Sequence, residues 1–269
     1  MRTRGFLIGG TAGRTTLAGE GLQHQDGHSQ LVATTIPNCV TYDAAYGYEV
    51  AVIVQDGLRR MLAEQEDVFY YLTTMNENYQ QPAMPEGSRE GIVRGMHRIR
   101  AADGAAQVRL LGAGTILREV LAGADLLAAD WGVTADVWSV TSFPELHREG
   151  NAVDRWNRLH PGDPPRRSYV QESLGTTGTP VVAATDYVRA LPDLIRGWVD
   201  GRYEVLGTDG FGRSDLRRAL RAFFEVDRHH VVVAALNALA QDGAVDVSVV
   251  REAIARYEID VEAEPPWQR

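Results

Sequence analysis

Short apolar runs rich in β-branched and aromatic residues alternate with stretches of helical spacing along most of the chain, and no other feature restricts the fold as strongly. The runs are residues 5–9, 38–42, 68–74, 107–111, 135–140, 180–185 and 203–206. Residues 44–64, 115–129, 143–159, 187–199 and 214–223 read as helices between or after them, and 228–241 and 248–257 close the chain. Strands joined through helices pair in parallel by right-handed crossovers, so the expected class is α/β with a mainly parallel sheet. From about residue 107 to 206 the strands are almost continuously apolar, which calls for helices on both faces of a parallel, edge-mixed sheet.

At roughly 150 residues per domain, a chain of 269 residues has room for about two domains or one large one. A polar stretch from Asn76 to Gly87, with Pro82 and Pro85, leaves one strand and precedes a new helix, which places a joint near Pro85. Residues 1–85 then hold about three strands, few for an independent parallel sheet, and read as part of a domain. Residues 86–269 form the second unit. The first run, Gly5-Phe6-Leu7-Ile8-Gly9-Gly10, has the composition of a buried central strand, whose backbone needs partners on both sides. A partner chain or upstream sequence is expected to complete that sheet.

Composition excludes several function classes. All 27 basic residues are arginine, so a P-loop lysine and a Schiff-base lysine are impossible within this chain. The formal charge of −9 and the absence of a long basic stripe argue against a nucleic-acid partner. No apolar run reaches the ~18 residues that a membrane span requires, and the opening residues are too short and glycine-broken for a signal sequence, so no membrane partner and a cytoplasmic location are expected. A lone Cys39 allows no internal disulfide and reads as a small core residue.

The densest polar constellation is Gly19-Glu20-Gly21-Leu22-Gln23-His24-Gln25-Asp26-Gly27-His28-Ser29. Its glycines mark a loop beyond a strand, where α/β folds place their chemistry, and its side chains can donate and accept protons near neutral pH. An ordinary solvated loop is the bland alternative. His24 and His28 share the i, i+4 spacing of a helical zinc site, but Gln25 follows His24 and Gly27 disfavours a helix, so no metal is assigned there. Gly112-Ala113-Gly114-Thr115 is expected to be a tight strand-to-helix turn with Thr115 as cap rather than a cofactor cradle, since Leu117 stands where a dinucleotide fingerprint needs a third glycine. In Leu206–Asp215, which reads equally as a structural turn or a functional loop, Arg213 is a candidate for a carboxylate or phosphate and Ser214 for a helix cap. Asp227 reads as an N-cap, with His229 and His230 in the first turn. The tryptophans at 131, 138, 156 and 198 read as core.

Several long strings resemble the homodimeric bacterial pyruvate dehydrogenase E1 component. They are Arg4 to Leu17, Gly19-Glu20-Gly21-Leu22-Gln23-His24, Asp26-Gly27-His28-Ser29, Tyr48-Glu49-Val50-Ala51, Asn76-Glu77-Asn78-Tyr79, Val137 to Ser142 and Leu206 to Gly212. The likeness covers the carboxyl-terminal third of that family's chain. It implies that residues 1–85 are the later half of a pyrimidine-binding, transketolase-like domain and 86–269 a transketolase C-terminal-like domain. It also implies thiamine diphosphate and Mg²⁺ as cofactors of the complete enzyme, whose main ligands have no counterpart here. His24 matches a histidine facing the substrate carboxylate, and Glu20 an acidic residue of the same site. Asp26 and His28 are implied only as supports.

On this resemblance the chain is part of an oxidoreductase that decarboxylates pyruvate and passes the acetyl group to the lipoyl domain of dihydrolipoyl acetyltransferase E2. The remaining E1 domains, or a partner chain, and a homo-oligomeric state are implied with it, and the isolated chain is expected to be inactive. The alternative is a non-catalytic module for dimerisation or for docking on E1 or E2. Cofactor binding separates the two.

Overall fold

The computed structural model describes residues 3–10 and 12–269; Met1 and Arg2 of the opening segment, and Thr11 within the string from Arg4 to Leu17, lie outside the described residues. The first unit is a three-stranded parallel sheet, ordered β1-β3-β2, of β1 (Phe6–Gly9), β2 (Cys39–Asp43) and β3 (Phe69–Thr73). All five residues of β2 are buried, whereas Leu7 and Ile8 of β1 are more than half exposed on the sheet's open edge. Helices α1 (Ser29–Ala33) and α2 (Gly47–Leu58) connect the strands, and α2 runs on through a π-helical turn at Arg59–Ala63. Val52 and Ile53 of α2 pack with Tyr42, Tyr70 and Leu72 of the sheet.

The second sheet has the order β4-β6-β5-β7-β8, from β4 (Met96–Arg100), β5 (Val108–Ala113), β6 (Ala135–Val140), β7 (Val181–Ala184) and β8 (Tyr203–Leu206). Only the β4–β6 pairing is antiparallel. The helices around it are α3 (Arg89–Arg94), α4 (Leu117–Trp131), α5 (Phe143–Leu159), α6 (Tyr169–Leu174), α7 (Ala190–Asp193), α8 (Arg217–Phe223), α9 (Arg228–Gln241) and α10 (Val247–Arg256). Successive strand residues point to opposite faces, so each strand feeds two cores. Leu110, Val137 and Val182 join Val120, Leu127, Val231 and Leu239 on one face. Their neighbours Leu111, Trp138 and Ala183 join Phe143, Leu146, Leu191 and Ile195 on the other. This double coverage is why the strands are apolar without alternation.

Differences from the sequence expectations have local causes. Edge strand β4 escapes an apolar search because its sequence, Met-His-Arg-Ile-Arg, is built for an exposed edge. The helix expected over 187–199 is broken into α7 and a 3-10 turn at Arg196–Trp198; Pro192 lies inside it and Tyr187 accepts a hydrogen bond from the Thr208 N–H. Thr115 does not cap a helix: it sits in a 3-10 turn, Gly114–Ile116, and α4 starts only at Leu117. Nor does Ser214 cap α8, whose N-cap position is Leu216. Asp227 does cap α9, accepting from the N–H groups of His229 and His230. Trp138 and Trp198 are buried, while Trp131 and Trp156 are partly so.

Between β3 and α3 the chain is irregular, and residues 80–84 are exposed. The two sheets meet instead through β2 and the end of β6. The Asp43 N–H donates to the Thr141 carbonyl at 2.8 Å, and the Ser142 hydroxyl to the Thr41 carbonyl at 2.6 Å while also capping α5. Glu49 of α2 reaches the second sheet at His97 and Ser139, with both partners almost or fully buried.

Candidate functional site

The loop after β1 is fixed by a mixture of turns and long-range staples. Leu22–His24 forms one 3-10 turn, closed by the His24 N–H on the Gly21 carbonyl at 3.1 Å. That turn brings the His24 Nδ1 to 3.2 Å from a Glu20 carboxylate oxygen, with both side chains about half exposed. Asp26 is a structural residue: its carboxylate accepts from the N–H groups of His28 and Ser29, at 3.0 and 2.9 Å, and starts α1. Gln25 ties the loop to the second unit through the backbone of Arg213, whose N–H donates to it at 2.6 Å.

The Arg213 guanidinium lies over the Phe223 ring, 4.3 Å from its centre. It lines a cavity of about 940 Å³ between α8, the start of α9 and the chain's end. The cavity does not include Glu20 or His24. Its wall carries an ion-pair network: Arg118 lies 2.6 Å from Glu77, Arg221 pairs with Glu77 and Glu119, and Arg228 lies 2.9 Å from Glu119. Burial works against the Glu119 charge, but Arg228 and Arg221 hold its carboxyl below the usual range.

Beneath the loop, at the seam between the sheets, sits a group of buried polar residues that sequence reading missed. Asp186, after β7, accepts from the Thr15 N–H at 3.0 Å, and burial raises its carboxyl to about 6. Asp43, at the end of β2, accepts from the Thr73 hydroxyl at 2.8 Å, and burial raises its carboxyl to about 7. Its second oxygen has no partner among the described residues, as is true of the Tyr187 hydroxyl. Both carboxyls follow strands that end at the seam, and the sequence showed them only as polar residues after apolar runs.

Asp43 predicts a pH dependence of stability. Its folded value exceeds the ordinary 3.8, so the folded state binds the proton more tightly and stability falls as pH rises from about 4 to about 7. Asp43→Asn removes that contribution. In urea titrations, the stability lost between pH 5 and pH 8 is expected to shrink by more than about 1 kcal/mol in the variant. An unchanged pH profile would contradict the burial account.

Comparison with known proteins adds a family to this geometry. A model for the pyruvate dehydrogenase E1 component middle domain matches residues 1–82, and one for the transketolase-like C-terminal domain matches residues 95–227. The pyruvate dehydrogenase E1 component of Pseudomonas aeruginosa is 61% identical over 268 residues, which are 98% of this chain and 30% of that protein. That of Escherichia coli K12 is 54% identical over 269 residues, 99% of this chain and again 30% of the relative. The fold is similar to transketolase from Pichia stipitis, a variant structure with a TM-score of 0.65 at 16% identity, covering 90% of this chain and 31% of that one. Campylobacter jejuni transketolase gives 0.64 at 17% identity, covering 86% and 31%. The chain thus spans about 30% of the length of the curated relatives it matches. With its middle-domain match followed by a transketolase-like C-terminal match, and relatives of that one name along nearly its whole length, the chain belongs to the pyruvate dehydrogenase E1 component family.

Proposed function

We propose that this chain is the carboxyl-terminal portion of an E1 that decarboxylates pyruvate with thiamine diphosphate and transfers the acetyl group to the lipoyl domain of E2. The observation that carries the reading is the Glu20–His24 pair, set on an accessible loop in a sequence 61% identical to a pyruvate dehydrogenase E1 component. Residues 1–85 then serve as the later half of the pyrimidine-binding domain and 86–269 as the transketolase C-terminal-like domain. The complete assembly is a cytoplasmic homo-oligomer.

The chain's residues fit one side of the cofactor only. Among the described residues no three His, Cys, Asp or Glu side chains converge as a metal site; the family likeness is what assigns Mg²⁺ and the diphosphate to the remaining E1 domains. Glu20 and His24 fit the substrate side, where thiamine diphosphate, when bound, supplies the carbon nucleophile and the electron sink for loss of CO₂. In this reading the Glu20 carboxylate, 3.2 Å from the His24 Nδ1, positions the ring so that Nε2 serves the substrate. His24 thereby accepts and returns a proton near the reacting carbonyl, and its protonated form balances the substrate carboxylate.

The test is reconstitution. The purified chain with pyruvate, thiamine diphosphate and Mg²⁺ is expected to release no CO₂, and addition of the remaining E1 domains is expected to restore turnover. Steady release by the chain alone, free of contaminating E1, would overturn its dependence on those domains. A second reading, a non-catalytic docking module, draws on the open β1 edge with its exposed Leu7 and Ile8. It is favoured if the assembled complex binds thiamine diphosphate equally well without this chain and shows no turnover with it.

A further inference from the structure

The turn that carries Glu20 and His24 is poorly able to hold itself. It is a single 3-10 turn with no buried residue and no capping side chain, closed by the His24 N–H on the Gly21 carbonyl and the Gln25 N–H on the Leu22 carbonyl, both at 3.1 Å. A lone turn is costly to nucleate, so its persistence depends on its ends. Both ends are fastened to one stretch of the second unit, residues 207–216 between β8 and α8. On one side the Gly19 N–H donates to the Asp215 carbonyl at 2.9 Å. On the other the Gln25 side chain takes both main-chain groups of Arg213, accepting from its N–H at 2.6 Å and donating to its carbonyl. Two more ties flank these: Arg14 donates to the carbonyls of Thr208 and Gly210, and Arg217 Nε, at the start of α8, donates to the Thr16 carbonyl at 2.6 Å.

The Gln25 contact makes narrow demands on both sides. Arg213 offers one donor and one acceptor from its backbone, and a side-chain amide meets both at once. Glutamate in that place keeps the acceptor and loses the donor, while methionine keeps the length and brings only a weak acceptor. Room for the amide depends on Gly212, where a Cβ would lie 2.7 Å from Gln25 Oε1 and 2.8 Å from the Gln25 Cβ.

We propose that Gln25 is a positioning residue for His24, and that the second unit, through residues 207–216, sets the geometry of the proton-transfer turn. This rests on the reading of Glu20 and His24 given above. A proton-transfer group must stay within hydrogen-bond reach of the atom it serves, and a misplacement of about 1 Å can cost about 10²-fold in rate. The pins at Gly19 and Gln25 bracket both members of the pair. Releasing the second pin leaves the turn fastened beside Glu20 and free beside His24. The ring then spends less of its time where it can react, and the loss falls on kcat more than on KM.

Amide hydrogen exchange of the purified chain and kinetics of the reconstituted enzyme test the two halves of the proposal. In the chain, Gln25→Met is expected to speed exchange of the His24 and Gln25 N–H groups about tenfold, with exchange in β5 unchanged. Gly212→Ala, which crowds the amide out of its place, is expected to do the same, and the double variant no more than either, because each removes one and the same contact. Unchanged exchange at His24, or additive effects of the two substitutions, overturns the positioning role without any activity measurement. In the reconstituted enzyme, Gln25→Met is expected to lower kcat for pyruvate about tenfold with KM within about twofold of the parent, and Gln25→Glu to give an intermediate loss. If His24→Ala stops turnover while Gln25→Met leaves kcat unchanged, this inference fails and the function stands. If His24→Ala itself leaves turnover intact, the function reading has failed and this inference falls with it.

Discussion

Replacing Glu49 by leucine is expected to destabilise the fold by about 3–5 kcal/mol, the scale for removing one member of a buried, multiply hydrogen-bonded polar cluster. Glu49 has no exposed surface, and both its oxygens are occupied. One accepts from the Ala45 and Tyr46 N–H groups at 2.7 and 3.0 Å. The other meets His97 Nε2 at 2.8 Å and the Ser139 hydroxyl at 2.6 Å. Leucine fills the volume but leaves two backbone donors, a hydroxyl and an imidazole buried without their partner, and each such orphan costs about 1–3 kcal/mol before relaxation. Because α2 belongs to the first unit and His97 and Ser139 to the second, the loss is expected to loosen their docking as well. Urea titration reads the stability, and hydrogen exchange at Ala45 and Tyr46 reads the local opening. A Glu49→Leu/His97→Leu pair should cost less than the two single changes added, since removing both partners removes an orphan. Strict additivity, or a single-variant loss within the range of an ordinary surface change, would show that this contact does not join the units.

The sequence made the frame legible because the frame rests on period and composition. Both faces of β5, β6 and β7 are buried, so runs such as Val137-Trp138 and Val182-Ala183 read as strands without any alternation. Helices α5 and α9 were bounded correctly because their ends carry chemistry: Ser142 and Asp227 accept at the N-terminus of each helix. The loop with Glu20 and His24 stood out through its glycines and its density of titratable groups. What supports it did not. Arg14 lies 194 residues from the Thr208 carbonyl it donates to and Asp186 lies 171 from Thr15, and Asp43, Glu49 and His97 are indistinguishable in sequence from solvated residues. Their burial follows from how two sheets dock, a long-range fact that neither spacing nor propensity encodes. Arg213, read from its glycine-rich surroundings as either an anion ligand or part of a plain turn, packs its guanidinium on Phe223, a contact that spacing alone does not indicate.

His24→Ala, in the reconstituted enzyme, is expected to slow pyruvate decarboxylation by about 10²-fold or more, the loss that follows removal of a positioned proton-transfer group. The expectation depends on the pair rather than on the ring alone. If Glu20, 3.2 Å from Nδ1, positions the ring as proposed, Glu20→Gln should lower the rate less than His24→Ala does, with an altered pH profile of kcat. Both side chains are about half exposed, and neither fills a core position, so the variants should unfold at the same urea concentration as the parent chain. That separation of rate from stability distinguishes a chemical role from a structural one. His28→Ala gives the internal comparison, because its ring rests on Arg14 rather than on Glu20 and its loss should lower the rate much less. Equal, small effects from His24→Ala and His28→Ala with folding intact would mean that the Glu20–His24 pair is a solvated loop contact, and that the family's chemistry lies on other residues.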